Sequence, residues 1–493
     1  MAMLGYAEAA TMGALVCILY FFHRRRCCKH PLLIDYPILG MLPQLLSNLW
    51  RVHDFFTEVL KRHGGTGEFT GPWFTNMNYL VTSDSFNVHH ILSKSFHNYV
   101  KGPEFRDIFQ AFGDGIFTAD SEAWKYSRDL FHFLFKQRSF EMFLEKAIHN
   151  KVQNCLLPIL DHVCQQGSVV DLQDVFNRFT FDNICSIVLG YDPNCLSVDF
   201  PQVAIEKAFN QAEESIFYRH VVPKCVWKLQ KWLQIGQEKK MTEACKTFDQ
   251  FIHACIASKR EELSKYNEDE MGEARVDLLT ALMRKGKEQR QAHDDGFLRD
   301  AVFNLFVAGR DTITSALTWF FWLVATNPLV EAKILEEMRE KLVTNEKSSL
   351  EVLSVEEVKK LVYLHGAICE TLRLFPPIPF ERKQALNADV LPSGHRVDPC
   401  TMILFSLYSM GRFEEIWGKD CLEFKPERWI SEKGGPRTCL GKDSSFVQMK
   451  MVATSILHKY RVQVVEGFAA IPSLSIVLLM KDGLKVKITK RGI

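Results

Sequence analysis

The feature that most constrains the fold of this chain is a long and almost wholly apolar helical segment in its second half. Residues 294–327 form the longest helical candidate, and from Ala301 to Ala325 apolar side chains occur on nearly every side of the predicted helix. Pro328 ends the segment because proline lacks an amide hydrogen and clashes with the preceding turn. A helix that is apolar on all faces has to be surrounded by other elements. The sequence therefore predicts a central, buried helix.

The segments around this helix predict a mostly α-helical protein with a smaller β part. Residues 83–265 have a mostly helical pattern. Ser354 begins a further helix, because Glu357 three residues later completes a capping box, and this helix is expected to continue to about Leu374. Residues 46–493 are interpreted as one catalytic domain. The remaining predicted elements are a helix over 53–63 ended by Gly64-Gly65, short strands over 67–82 with a turn at 76–78, a helix over 442–460, and closing strands with a hairpin turn at Asp482-Gly483.

The N-terminal residues predict a membrane anchor followed by a connector. Residues 3–22 are apolar apart from Glu8, and a histidine and three arginines follow at once. A stretch of about 20 apolar residues just spans a bilayer. Positive charge after the stretch, rather than before it, indicates an uncleaved anchor with the rest of the chain in the cytosol; the alternative is a buried N-terminal helix. We expect a transmembrane anchor over residues 1–26 and a stiff connector over 27–45, whose prolines, the last of them Pro43, break any helix.

Composition narrows the class of partner. The chain has 60 Lys and Arg against 59 Asp and Glu, so its net charge is +1 and no nucleic-acid partner is expected. The 14 cysteines are scattered without C-x-x-C spacing, which favours free thiols in a reducing compartment over structural zinc. Residues 113–118 lack the third glycine of a dinucleotide fingerprint, and the sequence has no phosphate loop. Electrons for a redox reaction would therefore come from a separate protein.

The first candidate site is the segment Gly-Pro-Arg-Thr-Cys-Leu-Gly at residues 435–441. Glycines let the backbone approach a bound group closely. Cys439 just precedes a predicted helix, whose N-terminal N–H groups favour the thiolate, and Arg437 adds positive charge two residues away. Because a metal binds the thiolate form, Cys439 is a candidate metal ligand. The alternative is an inert buried cysteine.

The second candidate site is Ala-Gly-Arg-Asp-Thr at residues 308–312, inside the central helix. Gly309 is unfavourable in a helix interior by about 1 kcal/mol relative to alanine, and a glycine beside a threonine can open the helix locally. The opening would form a groove for oxygen, in which Thr312 donates a hydrogen bond and Asp311 supplies protons. In the alternative, Thr312 only bonds the Ala308 carbonyl, and Asp311 pairs with a nearby base.

Two further patterns place charged side chains on one helix face. Glu370 and Arg373 are three residues apart, which usually indicates a solvated surface pair. Arg428, in a Pro-Glu-Arg segment, offers a second arginine for the same carboxylate. Trp124 and Arg128 are four residues apart and could together hold a ligand carboxylate. Each pattern by itself is common, so neither indicates a function alone.

Taken in order, these patterns resemble a microsomal cytochrome P450 over the whole chain. The order is an anchor, Trp-x-x-x-Arg, Ala-Gly-x-Asp-Thr, Glu-x-x-Arg, Pro-Glu-Arg and the cysteine loop. The resemblance implies the cytochrome P450 fold and the cofactor heme b (iron protoporphyrin IX), with Cys439 as the thiolate ligand of the iron. It implies that Asp311 and Thr312 deliver protons for O–O cleavage, and that Glu370 belongs to a structural triad. The residues that it implies for the heme propionates are Trp124, Arg128, Arg382 and Arg437.

Longer motifs narrow the resemblance to the plant clan of fatty-acid and alkane hydroxylases, and within it to the mid-chain alkane hydroxylase family of cuticular wax synthesis. This implies a long-chain apolar substrate, O2, NADPH-cytochrome P450 reductase as electron donor, and a place in the endoplasmic reticulum membrane with the catalytic domain in the cytosol. The motifs are Ala-Gly-Arg-Asp-Thr (308–312), Ser-Ala-Leu-Thr-Trp-Phe-Phe-Trp-Leu (315–323), Leu-Pro-Ser-Gly-His (391–395), Phe-Lys-Pro-Glu-Arg-Trp-Ile-Ser (424–431) and Gly-Pro-Arg-Thr-Cys-Leu-Gly-Lys (435–442). The apolar residues expected to face the heme are Phe306, Val307, Ile378, Pro379 and Phe380.

The chain departs from the family pattern just before Cys439. The family has a phenylalanine seven residues before the cysteine, after a longer stretch than this chain has. Here Glu432 occupies that place, and Trp429 is only ten residues from Cys439. The lost aromatic packing and the added carboxylate would weaken heme binding. Three hypotheses follow: a monooxygenase, a catalytically impaired or inactive member, and a heme-thiolate isomerase, against which Asp311 and Thr312 argue.

Overall fold

The computed structural model describes residues 34–73, 75, 77–201, 203–265, 277–288, 293–342, 352–430 and 441–492. These residues form mostly α-helices with a smaller β part, which confirms the predicted class. Within these ranges no single helix has both the length and the apolar composition needed to cross a membrane; one pair, Asp295–Thr326 with Pro328–Leu342, meets that test jointly but is bent by 105°. The predicted anchor over 1–26, the start of the connector, Glu432, Arg437 and Cys439 lie outside the described residues.

The elements are numbered here in chain order. The α-helices are α1 (Leu42–Ser47), α2 (Val52–Arg62), α3 (Ser85–His89), α4 (Gly102–Ile108), α5 (Ser121–Phe135), α6 (Arg138–Lys151), α7 (Leu157–Gln166), α8 (Leu172–Leu189), α9 (Ala204–Val221), α10 (Lys224–Leu233), α11 (Gly236–Lys265), α12 (Leu278–Glu288), α13 (Asp295–Gly309), α14 (Asp311–Thr326), α15 (Pro328–Leu342), α16 (Val355–Lys359), α17 (Val362–Leu374), α18 (Leu407–Met410), α19 (Glu414–Trp417) and α20 (Lys442–Lys459). The strands are β1 (Thr66–Phe69), β2 (Tyr79–Thr82), β3 (Tyr99–Val100), β4 (Val169–Asp171), β5 (Phe380–Ala385), β6 (Asp389–Val390), β7 (Arg396–Val397), β8 (Met402–Ser406), β9 (Tyr460–Val464) and β10 (Lys485–Lys490).

The described chain divides into two compact units. The first comprises the described part of residues 1–102 with 221–229 and 380–421, and the second comprises the described parts of 103–220, 230–379 and 422–493. The first unit contains a five-stranded sheet in the order β1-β2-β8-β5-β3. All neighbouring strands are antiparallel except β2 and β8, so the predicted pair of strands near residues 67–82 is confirmed as β1 and β2.

The connector contains a helix that the sequence interpretation did not expect. Pro43 lies in the first turn of α1 instead of breaking a helix. At this position its missing amide hydrogen costs no helical hydrogen bond, and its fixed φ suits the first turn. The prediction of a helix over 53–63 is confirmed as α2, whose buried side chains include Phe55, Phe56 and Leu60.

The second unit is built around the predicted central helix, which consists of α13 and α14. The Asp294 side chain caps its start by accepting a hydrogen bond from the Phe297 N–H at 2.7 Å. The side chains of α14 are almost all buried, because α8 and α17 pack against it. Trp319 of α14 stacks on Phe375, with ring centroids 3.9 Å apart. The sequence predicts one continuous helix, whereas the structure interrupts it at Arg310.

The helix predicted from Ser354 to Leu374 is in fact two helices, α16 and α17. Its predicted start is confirmed, because the Glu357 N–H donates to Ser354 Oγ at 3.3 Å and the Ser354 N–H donates to the Glu357 carboxylate at 2.8 Å. The first helix then ends at Lys359, after little more than one turn. The prediction of an uninterrupted helix is therefore wrong.

Two side chains from distant segments stabilise this break. Lys450 of α20 donates hydrogen bonds to the carbonyls of Val358 and Leu361, each at 2.9 Å. The Glu337 carboxylate of α15 accepts the first three N–H groups of α17 at 2.7 to 3.0 Å. These partners replace the helical hydrogen bonds that the break removes. Burial lowers the pKa of the Lys450 ammonium to about 8.

The C-terminal elements form a three-stranded sheet in the order β4-β10-β9. The helix predicted over 442–460 is confirmed as α20. A turn does occur at Asp482-Gly483, but the predicted hairpin is wrong, because β10 pairs with β9 across residues 465–484 and with β4. The turn is stabilised by the Asp171 carboxylate, which accepts the Leu484 N–H at 2.8 Å.

Candidate active site on the central helix

The central helix is interrupted directly after Gly309, beside residues that are only half-buried. Gly309 lies against α8, where an added Cβ atom would come within 2.5 Å of Ile184 Cδ1. Residues 307–309 and Thr312 are half-buried, although the residues just before them are buried. The helix ends at Gly309 and resumes at Asp311. The interruption therefore lies at the place where the sequence allows a local opening of the helix.

Asp311 and Thr312 begin α14, directly after the interruption. The Thr312 hydroxyl donates a hydrogen bond to the Ala308 carbonyl at 2.6 Å. Arg310 Nη1 lies 3.3 Å from Asp311 Oδ1. These are the contacts that the simpler alternative expects. The Thr312 hydroxyl still has acceptor capacity and stands at the half-buried side of the helix, so the arrangement is also compatible with proton transfer.

A small cavity of about 10 Å³ lies beside α13 and α9. Its lining is apolar except for one carboxylic acid, and consists of Phe112, Phe209, Ala212, Glu213, Ile216, Phe303, Val307 and Ile476. Of the residues expected to face the heme, Val307 lines this cavity and Phe306 is buried. Ile378 is 39% exposed, and Phe380 belongs to the first unit. The cavity is therefore a small apolar space close to the helix interruption.

The predicted carboxylate-binding residues lie on two elements. Trp124 and Arg128 share one face of α5, with the guanidinium carbon 5.4 Å from the indole ring centroid, and both are half-buried. Arg382 lies on β5, in the first unit, and is 6% exposed. Its guanidinium donates to the Met402 sulfur and lies 5.3 Å from the Tyr79 ring centroid. The structure thus brings Trp124 and Arg128 together, as their spacing predicts.

The Glu370 carboxylate is the centre of a buried polar cluster, not a surface ion pair. Glu370 is fully buried and accepts hydrogen bonds from Arg373 Nε at 2.8 Å and Nη2 at 2.7 Å. Arg428 Nε donates to the same carboxylate at 3.2 Å, as the resemblance implies. Trp429 Nε1 and the Lys425 N–H also donate to it, at 2.8 and 3.1 Å. The cluster ties residues 425–429 to α17.

The helix expected after the cysteine loop is present. α20 begins at Lys442, three residues after Cys439 in the sequence, and its interior residues are largely buried. A fixed helix N-terminus favours a negative charge placed just before it. Cys439 and Arg437 themselves lie outside the described residues.

The described residues fit a flat, apolar cofactor that carries two carboxylates. Residues 307–309 leave one strip of an otherwise buried helix uncovered by the chain. An apolar ring system against this strip would remove it from water, as the hydrophobic effect favours. The guanidinium group of Arg128 and the indole N–H of Trp124, both on α5, are donors suited to carboxylates. The donor set and the uncovered strip together match heme b.

Sequence interpretation missed two residues of this region. The sequence motif that contains Trp429 does not identify Glu370 as the partner of its indole N–H. Glu213 was not considered, although the periodicity of α9 contains the signal. Its buried apolar residues follow helical spacing, and position 213 falls on the same face. The residues that define this face are Ile205, Ala208, Phe209, Ala212 and Ile216.

Comparison with known proteins supports the same assignment. Residues 31–488 match the cytochrome P450 family. An alkane hydroxylase of Arabidopsis thaliana is 41% identical over 100% of both chains. Cytochrome P450 86B1 of Arabidopsis thaliana is 40% identical over 99% of this chain and 91% of its own, and noroxomaritidine synthase 1 of Narcissus pseudonarcissus is 39% identical over 97% and 96%. The chain therefore belongs to the cytochrome P450 family of monooxygenases, whose cofactor is heme b.

Proposed function

We propose that this monooxygenase hydroxylates long, unbranched aliphatic substrates, either alkanes or fatty acids. The observation that carries the proposal is the cavity beside the helix interruption, whose lining is apolar apart from Glu213. Apolar lining residues bind an aliphatic chain by burying its surface and by fitting its shape, without hydrogen bonds or charges. Sequence identity alone does not select the substrate, because relatives named an alkane hydroxylase and a noroxomaritidine synthase are 41% and 39% identical to this chain.

The heme-binding roles follow from the motifs. Bound heme supplies the iron that activates O2 for insertion into a C–H bond. Cys439 ligates the iron as a thiolate, and the residues that bind the heme carboxylates are Trp124, Arg128, Arg382 and Arg437. The Glu370 cluster holds the segment that leads towards Cys439, because it ties residues 425–429 to α17.

Asp311 and Thr312 are proposed to move protons to the reacting oxygen. The Thr312 hydroxyl bonds Ala308 O at 2.6 Å, and rotation about χ1 turns it towards the half-buried side of the helix. There it can donate its proton to oxygen and recover one from the carboxyl group of Asp311, which follows Arg310 at the break. Apolar side chains around the cavity keep bulk water from supplying protons at random.

Localisation and electron supply are proposed from the sequence and from the surface. Residues 1–26 anchor the chain in the endoplasmic reticulum membrane, with the catalytic domain in the cytosol. Apolar side chains on α10 support additional contact with membrane lipid, because Leu229 is 54% and Trp232 is 79% exposed. Electrons come from a separate NADPH-cytochrome P450 reductase, since the sequence contains no dinucleotide fingerprint or phosphate loop.

The substrate proposal is tested with a series of alkanes and fatty acids of increasing length. Each buried methylene contributes about 0.8 kcal/mol, which is roughly a fourfold gain in affinity. We expect the dissociation constant, measured by the heme absorption shift on titration, to fall with each added methylene. Affinity that does not change with length, or tight binding of aromatic compounds alone, would contradict the proposal.

The heme ligand is tested by replacing Cys439. Cys439→Ala should abolish the thiolate-type spectrum of the reduced carbon monoxide complex, whereas Cys421→Ala should retain it, because Cys421 is buried and its thiol donates to the Arg412 carbonyl. An unchanged spectrum in Cys439→Ala would remove the assignment. A second experiment tests whether the short segment before Cys439 impairs heme binding. It compares the heme content per protein of the unaltered chain with that of a form in which an aromatic-bearing segment is inserted between Gly434 and Gly435.

A further inference from the structure

Four ionisable side chains meet in the interior between α9 and the central helix. Glu206 and Glu213 come from α9 and are 9% and 8% exposed, and Arg310 and Asp311 are each 1% exposed. Arg310 Nη1 lies 3.3 Å from Asp311, and Nη2 lies 3.7 Å from Glu206. The guanidinium also lies 4.7 Å from the Phe209 ring centroid. One cation is therefore set among three carboxyl groups, away from water.

Two carboxyl oxygens in this cluster are buried without a hydrogen-bond donor among the described residues. They are Asp311 Oδ2 and Glu213 Oε1. The side chains of Asp311 and Glu213 are nevertheless within hydrogen-bonding reach of each other. An ionised carboxylate can only accept hydrogen bonds, whereas a protonated one also donates. One proton held between the two groups therefore satisfies both carboxyls. Without that proton, two negative charges would lie in contact.

The charges around Glu213 favour keeping this proton. Burial, followed by the charge of Asp311, raises the pKa of Glu213 well above its ordinary value, and Arg310 opposes the shift. Burial also raises the pKa of Glu206, against the charge of Arg310. Arg219, the buried arginine of α9, does not add a counter-charge, because it forms a bidentate ion pair with Glu238 of α11 at 2.6 to 2.7 Å.

We propose that Glu213 and Asp311 share one proton, and that Glu213 returns a proton to Asp311 after each delivery through Thr312. In this step the O–H bond of Asp311 breaks as the shared proton passes to Thr312, whose own proton passes to the reacting oxygen. Solvent water then donates a proton to Glu213. This proton moves on to Asp311 as the Glu213 O–H bond breaks, so the pair again holds one proton. Glu213 is thus a positioning and relay residue that acts through Asp311. The inference rests on the proposed roles of Asp311 and Thr312.

The location of Glu213 gives this relay a physical advantage. The residue lines the apolar cavity proposed for the substrate. A substrate chain against this lining keeps water away from this side of Asp311, so the next proton reaches Asp311 through Glu213 and not directly from water.

The test compares Glu213→Gln with Glu214→Gln. Glutamine keeps the size and the hydrogen-bonding capacity of Glu213 but cannot release a proton, and Glu214 is the exposed neighbour on the same helix. Infrared spectra of the whole protein at neutral pH should contain a protonated-carboxyl band that Glu213→Gln loses and Glu214→Gln retains. In reconstituted turnover, Glu213→Gln should form product about tenfold more slowly, with more peroxide per NADPH and an unchanged KM.

The outcomes separate this inference from the proposed function. A protonated-carboxyl band that persists in Glu213→Gln would overturn the shared proton. A lost band with unchanged product per NADPH would overturn the relay. Thr312→Ala is measured alongside and should also divert electrons to peroxide. Full coupling in Thr312→Ala would refute the proposed role of Thr312, whereas uncoupling in Thr312→Ala with full coupling in Glu213→Gln would refute only the relay.

Discussion

Replacing Glu370 with glutamine should destabilise the protein more than any exposed ion-pair change. Glu370 is fully buried, and five hydrogen bonds from Arg373, Arg428, Trp429 and the Lys425 N–H converge on its carboxylate at 2.7 to 3.2 Å. The Arg373 side chain is only 2% exposed. Glutamine removes the negative charge and directs an amide N–H₂ group towards these donors, so the guanidinium remains buried without a counter-charge.

The magnitude follows from the burial of this cluster. Removing one partner of a buried ion pair costs about 3–5 kcal/mol, which is a large share of the roughly 5–15 kcal/mol that stabilises a typical domain. The assay is urea unfolding at neutral pH, followed by far-UV circular dichroism and by tryptophan fluorescence, which also reports on Trp429. The free energy of unfolding of Glu370→Gln should fall by this amount, with the slope against urea unchanged.

The matched control is Glu427→Gln, in the same Pro-Glu-Arg segment. Glu427 pairs with Lys333 at 2.6 Å, but the two side chains are 40% and 54% exposed. An exposed ion pair contributes about 0–1 kcal/mol because water and salt screen it, so this variant should unfold almost as the unaltered protein does. If Glu370→Gln and Glu427→Gln lose the same free energy of unfolding to within about 1 kcal/mol, the argument from burial is refuted.

Two further predictions concern helix and turn stabilisation. Although burial alone would raise the pKa of Glu337, the N–H groups of α17 and Lys341 hold it below its ordinary value of 4.5. The stabilisation by ionised Glu337 is therefore present above pH 4.5 and is lost as the pH falls through the lowered folded-state pKa. The difference in unfolding free energy between the unaltered protein and Glu337→Gln should therefore shrink on acidification. A difference that is equal at pH 7 and in acid would contradict this. Gly483→Ala should destabilise by more than about 1 kcal/mol, because φ is 70° and a Cβ would lie 1.9 Å from Asp171 Oδ2. Gly467→Ala, with φ 77° and no atom near its Cβ, carries only the backbone strain, so equal losses in both variants would exclude the clash.

Much of the candidate site could be predicted because its motifs depend on local spacing. Trp124 and Arg128 share a face of α5 because side chains four residues apart on a helix are neighbours. The partnership of Glu370 with Arg373 follows from the same rule. Its burial does not, because whether a helix face meets water depends on what packs against it.

Sequence alone determined the class of fold, the central helix and the capping box at Ser354. These features depend on residues within a few positions of one another, and local sterics and hydrogen bonds decide them. The expectation of free thiols is confirmed for the ten cysteines in the described ranges. The family resemblance also required only the order of short motifs, since that order is a property of the chain and not of its folding.

Only the tertiary structure decided the break after Lys359, the partners of β10, and the meeting of Glu213 with Asp311. In each case the deciding contact joins residues far apart in the sequence. Lys450 and Glu337 stabilise a helix break that local propensity does not predict. Glu213 looks like one more acid on an amphipathic helix until α9 packs beside the central helix. Burial then raises the pKa of its carboxyl group well above the ordinary value.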